Sequence, residues 1–257
     1  MQYKFAKEQP DYSDFTSGRV FYSLPGHPAF PVRLASEIFQ RCIASRERIY
    51  KDSTRCTLYD PCCGAAYHLS VLAYLHGEHI QEVIGSDIDG RAVAAAKRNL
   101  GLLSIAGLDQ RIDEISNLFD RYEKESHKAA LASGYTLKDR LSDLTQDHTL
   151  ATKVFEANAL DRETIIKNIQ TKSVDVVFTD VPYGQHSQWH GSRSDEGLNP
   201  LRSMLNALFE VLSPSSIVAI VSDKQQKAFH KSYQRVEQFQ IGKRRVMILK
   251  PVYSPHA

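Results

Sequence analysis

Hydrophobic and polar positions along the chain alternate between two patterns. Short runs rich in apolar and β-branched residues occur at CTLYD (Cys56–Asp60), EVIGS (Glu82–Ser86), KVFEA (Lys153–Ala157), VDVVFTD (Val174–Asp180) and SIVAIVS (Ser216–Ser222). Their length and composition predict buried strands, the last two covered on both faces. After the first run, Leu69, Leu72, Ala73 and Leu75 keep to one helical face, and after the second, Gly90 leads into RAVAAAKRNL, which is rich in good helix formers. Strand and helix signals in alternation predict an α/β fold with a doubly wound, mostly parallel sheet. The tail, SYQRVEQFQ and RVMILK joined by IGKR, reads as a hairpin, so at least one strand is expected to run antiparallel.

Two segments exceed a minimal α/β core. Residues 1–55 form an N-terminal extension with a helix starting at Pro31, where Leu34, Ile38 and Cys42 recur every four residues and proline suits the first turn. Residues 104–148 separate the second and third strands by far more than a normal connection needs. There Leu108, Ile112, Ile115, Phe119 and Tyr122 follow helical spacing between charged residues, which predicts a helical insertion. The pattern serves equally a packing element and a cap over a large substrate. Residues 56–257 make up the main domain.

Composition narrows the class. A chain of 257 residues with 42% hydrophobic content buries a sizeable core, and a net charge of +2 does not by itself mark a nucleic-acid binder. The N-terminus MQYKFAKEQPDYSDF has no apolar run of the signal-peptide kind, and no stretch approaches the roughly 18 apolar residues of a membrane span. A soluble, cytoplasmic protein is expected, as a monomer. The four cysteines, Cys42, Cys56, Cys62 and Cys63, form no CxxC pair, and adjacent Cys62 and Cys63 are awkward ligands for one tetrahedral metal. No metal and no disulfide framework are expected.

The candidate chemistry lies at the ends of the predicted strands. The first closes in DPCCGAA (Asp60–Ala66), an acid and a glycine turn before a helix, which is how α/β proteins bring backbone close to a nucleotide-like ligand. The second ends in Asp87–Ile88–Asp89, where carboxylates are placed to accept hydrogen bonds from ribose hydroxyls. A dinucleotide dehydrogenase shares that logic, but no GxGxxG follows the first strand. The fourth ends in TDVPYGQHS (Thr179–Ser187). An acid, then a proline, then an aromatic in that position resembles the loop of enzymes that methylate nucleobase nitrogen. Asp180 can accept from base N–H groups, Pro182 stiffens the turn, and Tyr183 offers a face for stacking.

With these motifs the chain resembles the class I S-adenosylmethionine-dependent methyltransferases, and more closely the avilamycin-resistance type of 23S rRNA guanine methyltransferase. The resemblance covers most of the chain: PGHPAFPVRLASEIFQRC, DPCCGAAYHLSVLAYLH, VIGSDID, the insertion, and VVFTDVPYG followed by Trp189. It implies a seven-stranded Rossmann-like sheet, S-adenosylmethionine as cofactor, 23S rRNA or the large ribosomal subunit as partner, and methylation of guanine N1 or N2. Resistance to orthosomycin antibiotics such as avilamycin is the implied cellular consequence. By resemblance, Asp60, Cys62 and Gly64 surround the methionine part of the cofactor, and the cysteines are compact pocket walls. Asp87, with Asp89 second, matches the ribose acid, Asn158 the position that reads the adenine amine, and Asp180, Pro182 and Tyr183 the catalytic loop. The chain departs from the family pattern in having Asn158 where many relatives carry Asp, and Ala65–Ala66 where the first motif commonly ends Ser-Gly.

Charge distribution bears on the polymer. Between residues 224 and 250, Lys224, Lys227, Lys231, Arg235, Lys243, Arg244, Arg245 and Lys250 face a single acid, Glu237, a grouping suited to phosphate contacts. Lys243, Arg244 and Arg245, with His186 and Trp189 beyond the fourth strand, are the candidate substrate-binding residues. A carboxylate at position 180 complements the adjacent N1–H and N2 donors of guanine better than the donor–acceptor edge of adenine. The same chemistry on tRNA or DNA, and a non-catalytic cofactor-binding RNA scaffold, are the competing expectations.

Overall fold

The structure, a computed structural model, describes residues 3–26, 28–146, 149–181, 199–223 and 230–253. Its strands are Cys56–Asp60 (β1), Ile80–Asp87 (β2), Ala151–Glu156 (β3), Val174–Asp180 (β4), Leu212–Ser222 (β5), Tyr233–Ile241 (β6) and Arg244–Pro251 (β7). They form one seven-stranded sheet in the order β3-β2-β1-β4-β5-β7-β6. The β3-β2, β2-β1, β1-β4 and β4-β5 pairs are parallel, while β7 runs antiparallel to both β5 and β6. The hairpin predicted at the tail therefore supplies one reversed strand, slotted between β5 and the edge strand β6.

The helices are Val32–Tyr50 (α1), Tyr67–His76 (α2), Gly90–Gly101 (α3), Ile105–Tyr122 (α4), Glu125–Thr145 (α5), Arg162–Asn168 (α6) and Pro200–Leu208 (α7). Side-chain alternation on the strands divides the core in two. Leu58, Val176, Phe178, Ile217, Ala219 and Val221 share one core with α1 and α2, and Tyr59, Val177, Val218 and Ile220 share the other with α6 and α7. Both faces of the central strands are thus apolar because both are covered.

Local chemistry sets the helix starts. The Asp89 carboxylate accepts from the Arg91 N–H at α3, Ser104 from Gly107 at α4, Asp161 from Glu163 and Thr164 at α6, and Asn199 from Leu201 at α7, where Pro200 opens the helix. Helices α6 and α7 were not anticipated from apolar spacing; these caps are the signals that mark them.

The insertion is an antiparallel helix pair. Leu108, Ile112 and Ile115 of α4 are buried together with Ala130, Leu137 and Leu141 of α5. Gly134 permits the close approach, since a Cβ there would lie 2.9 Å from Ile112 Cγ1. The apolar stripe fades toward the tip, where Leu118 and Tyr122 are exposed. The pair lies on the sheet face already covered by α1 and α2, as a second packing layer.

The N-terminal extension is bound into the same body. Phe15 and Phe21 pack against Tyr74, Phe21 meets Tyr67, and Phe30 meets Phe178 of β4 edge-on at 5.6 Å. The Glu37 carboxylate on α1 accepts from the backbone N–H of Lys4, Phe5 and Ala6 at 2.7–2.8 Å and pairs with Arg41. Near the start of β4, buried Arg46 pairs with Asp52 at 2.6 Å and approaches Asp175 at 3.5 Å. Asp175 in turn accepts from the Thr57 N–H and the Ser213 hydroxyl.

Candidate active site

The parallel strands end along one edge, where Asp60, Asp87 and Asp180 are each the last residue of their strand. Backbone contacts stitch the first three ends together. The Asp87 carboxylate accepts from the Gly64 N–H at 2.9 Å through one oxygen and from the Asp89 N–H at 3.0 Å through the other. The Asp87 carbonyl accepts from the Ala157 N–H, which brings Asn158 alongside. Asn158 Oδ1 accepts from the Leu160 N–H at 3.0 Å, so this oxygen is held in a tight turn after β3. Asp89 is paired with Arg91 at 3.0 Å.

Asp60 is wholly buried. One oxygen accepts from the Cys62 N–H at 2.9 Å and the other lies 3.3 Å from His68 Nε2 on α2. Burial pushes the Asp60 carboxyl up to about 8, the Asp87 and Asp180 carboxylates acting in the same direction, and burial pushes His68 down to about 4. The pair carries one proton at neutral pH. His68 is itself flanked by Phe178, at 4.9 Å, and Phe30. It was missed in the sequence because it sits eight positions beyond Asp60, across a turn whose course periodicity does not give.

The vicinal cysteines point to opposite sides. Cys63 joins the core under α1 and α2, its N–H donating to the Ser86 carbonyl and its sulfur so close to Gly85 that a Cβ there would lie 3.0 Å away. Cys62 packs against the other core. Burial, with Asp60 and Asp87 nearby, pushes both thiols well above their ordinary range, so neither is a thiolate. Among the described residues no group of His, Cys, Asp and Glu could hold a metal ion.

The turn between β1 and α2 has left-handed backbone at Gly64, φ 54°, and again at Ala66, φ 54°. Where the family pattern has its second glycine, an alanine adopts the glycine-like conformation, with its methyl wholly buried.

At the β4 end, Asp180 is paired in register with Val221, and Arg245 with Ser222. The β6–β7 turn therefore brings Lys243, Arg244 and Arg245 to the edge that carries the acids. Lys231, Arg235 and Lys250 lie at the other end of the hairpin, where Lys250 faces Gln234. Five residues of strand, on the order of 17 Å, separate Arg245 from Lys250. The basic run that reads as one cluster in sequence is split between two edges of the sheet. Arg244 stacks over Phe30 at 5.3 Å, tying the hairpin to the extension. Pro182, Tyr183, His186, Trp189, Lys224 and Lys227 lie outside the described residues.

The strand order, with helices on both faces and acids on successive strand ends, is that of the class I methyltransferases, and the chain is an enzyme of that class. A family model described as rRNA methyltransferase AviRa matches residues 1–244. A curated relative, the 23S rRNA (guanine(2535)-N(1))-methyltransferase of Streptomyces viridochromogenes, is 36% identical over 248 residues, which span 96% of this chain and 95% of that one. A solved structure of rRNA methyltransferase aviRa from the same organism superposes with a TM-score of 0.85 at 34% identity, over 97% of this chain and 96% of that one. TrmN from Thermus thermophilus shares the fold alone, with a TM-score of 0.50 at 16% identity, over 89% of this chain and 51% of that one. The chain belongs to the rRNA methyltransferase AviRa family. Among the described residues, no helix is long and apolar enough to cross a membrane.

Proposed function

We propose that this enzyme methylates N1 of a guanine in 23S rRNA, using S-adenosylmethionine. The observation that carries the reading is the position of Asp180, a carboxylate on the strand end beside Asp60 and within electrostatic reach of it. The name of the 36% identical relative supports the choice of N1.

The residues present fit the cofactor. A ribose diol needs acceptors, which Asp87 and Asp89 supply; an adenine amine needs one more, which Asn158 supplies; a sulfonium is favoured near Asp87 and Asp180. When bound, the cofactor supplies an electrophilic methyl group on an excellent leaving group, so the protein's task is position and a proton acceptor. Asp180, accepting from guanine N1–H, holds that edge of the base and takes up the N1 proton as general base. The base must leave its stack to reach it. Pro182 and Tyr183 take the stiffening and base-stacking roles their motif implies, Cys62 walls the pocket, and Lys243, Arg244 and Arg245, with His186 and Trp189, contact the RNA. The large ribosomal subunit as partner, a cytoplasmic location and orthosomycin resistance follow from that substrate.

The test is incubation with methyl-labelled S-adenosylmethionine and unmodified 23S rRNA, free and in large subunits, followed by digestion to nucleosides. Label in 1-methylguanosine is expected. Label only in tRNA or DNA supplied in parallel overturns the rRNA assignment.

A further inference from the structure

Asn99 of α3 is wholly buried on a face otherwise made of Ala92, Val93, Ala96 and Leu100. An amide there costs stability unless its donors and acceptor are matched, and all are. Its Oδ1 accepts from the Tyr22 N–H at 2.7 Å, and its Nδ2 donates to the Tyr22 carbonyl at 3.0 Å and to the Ala65 carbonyl at 2.8 Å. The side chain thus pairs with residue 22 as a neighbouring strand would, and its remaining donor grips the turn between β1 and α2.

That grip falls at a sensitive point. Ala65 stands between the two left-handed residues of the turn, Gly64 and Ala66, and the Gly64 N–H is one of two backbone donors that hold Asp87. Ala66 is an unfavourable residue for its conformation, so the turn needs outside support. The other end of the tether is equally fixed. The guanidinium groups of Arg98, at 3.5 Å, and Arg111, at 4.3 Å, both lie over the Tyr22 ring, and its hydroxyl donates to Glu114 on α4.

We infer that Asn99 is a positioning residue for the cofactor, fastening the Ala65 carbonyl to the N-terminal extension so that the 61–66 turn is shaped for ligand by residues outside the main domain. The inference rests on the proposed cofactor site. It explains how this chain, with an alanine at the second glycine position, can still present that backbone: Asn99 supplies by a tertiary hydrogen bond what glycine supplies by conformational freedom. It also couples the extension to the ligand, because an element that stabilises the binding form of the turn is in turn stabilised by whatever binds it.

The experiment is calorimetric titration of S-adenosylhomocysteine into wild type, Asn99→Asp and Tyr22→Phe. Asn99→Asp keeps the acceptor for the Tyr22 N–H but loses both donors and sets an acid against two carbonyl oxygens. It is expected to bind at least tenfold more weakly and to raise KM for the cofactor by a similar factor, with kcat at saturation within threefold of wild type. Tyr22→Phe leaves every Asn99 bond in place and is expected to bind as wild type does. Unchanged affinity in Asn99→Asp, with only a lowered Tm, gives Asn99 a merely structural role and overturns the inference. Absence of binding in wild type sinks the cofactor site itself. If Asn99→Asp does not fold, hydrogen exchange in wild type decides. The Tyr22 amide should exchange at least threefold more slowly with S-adenosylhomocysteine bound, and an unchanged rate beside a newly protected 61–66 turn refutes the coupling.

Discussion

Asp60 and His68 meet at 3.3 Å in the interior, a carboxyl and an imidazole whose ordinary order of acidity is reversed by burial. Unfolding returns them to ordinary values, near 3.8 and 6.5. From about pH 4 to 6.5 the native pair and the unfolded chain each bind one proton, so the pair contributes no slope to stability. From 6.5 to about 8 the native pair keeps a proton that the unfolded chain has released, so stability falls as pH rises, by up to about 2 kcal/mol. Chemical denaturation at pH 6.5 and 8.0 should show this loss in wild type and not in Asp60→Asn. Equal pH dependence in the two proteins would place the native proton elsewhere.

Asp180 is the residue on which turnover is expected to depend most. Asp180→Ala should lose roughly 10²–10⁴ in kcat while binding S-adenosylhomocysteine as wild type does. Asp180→Asn retains the shape and an acceptor but cannot take the N1 proton, and should fall in the same range. Activity of the amide variant within tenfold of wild type would reduce the role of Asp180 to orientation.

At Ala66 two effects oppose each other. Ala66→Gly relieves a left-handed alanine, about 1 kcal/mol, but removes a buried methyl group, also about 1 kcal/mol. Its stability should therefore stay within about 1 kcal/mol of wild type. Ala66→Val adds β-branching to the same backbone in a filled space and should cost more than about 3 kcal/mol. Urea midpoints for the two variants check both statements.

Because the basic run is divided, its members should differ as RNA ligands. Lys243→Ala, at the exposed turn beside the acids, should lower rRNA affinity and reduce the salt slope by about one, leaving cofactor affinity unchanged. Lys231→Ala, at the far end of the hairpin, should change the slope by much less. A larger effect at Lys231 would move the RNA to the opposite edge of the sheet.

The strands and most helices were legible because each carries a periodic signal that packing then uses: Val174–Asp180 reads as a doubly covered strand and is one. That Asp60 and Asp87 lie together was legible because they close neighbouring strands, with Gly64 in the turn that follows the first. What the sequence hid depends on tertiary distance. His68 meets Asp60, and Asn99 meets Tyr22 and Ala65, across separations that no local spacing reports. A polar residue on the apolar face of α3 was the available sign of the latter. The basic run misled for the opposite reason: closeness along a hairpin is not closeness in space when the two strands span the sheet.

The two backbone N–H groups that hold the Asp87 carboxylate come from the protein's own turns, Gly64 and Asp89. The acid is thus oriented before any ligand arrives, and the entropy of fixing its rotamer is spent in folding rather than in association. Each of its oxygens keeps a lone pair for a second donor. A seat built in this way does not wait for RNA to assemble it, so the binary complex with a small ligand is open to the enzyme on its own. In kinetic terms, S-adenosylhomocysteine is expected to bind the free enzyme with no RNA present.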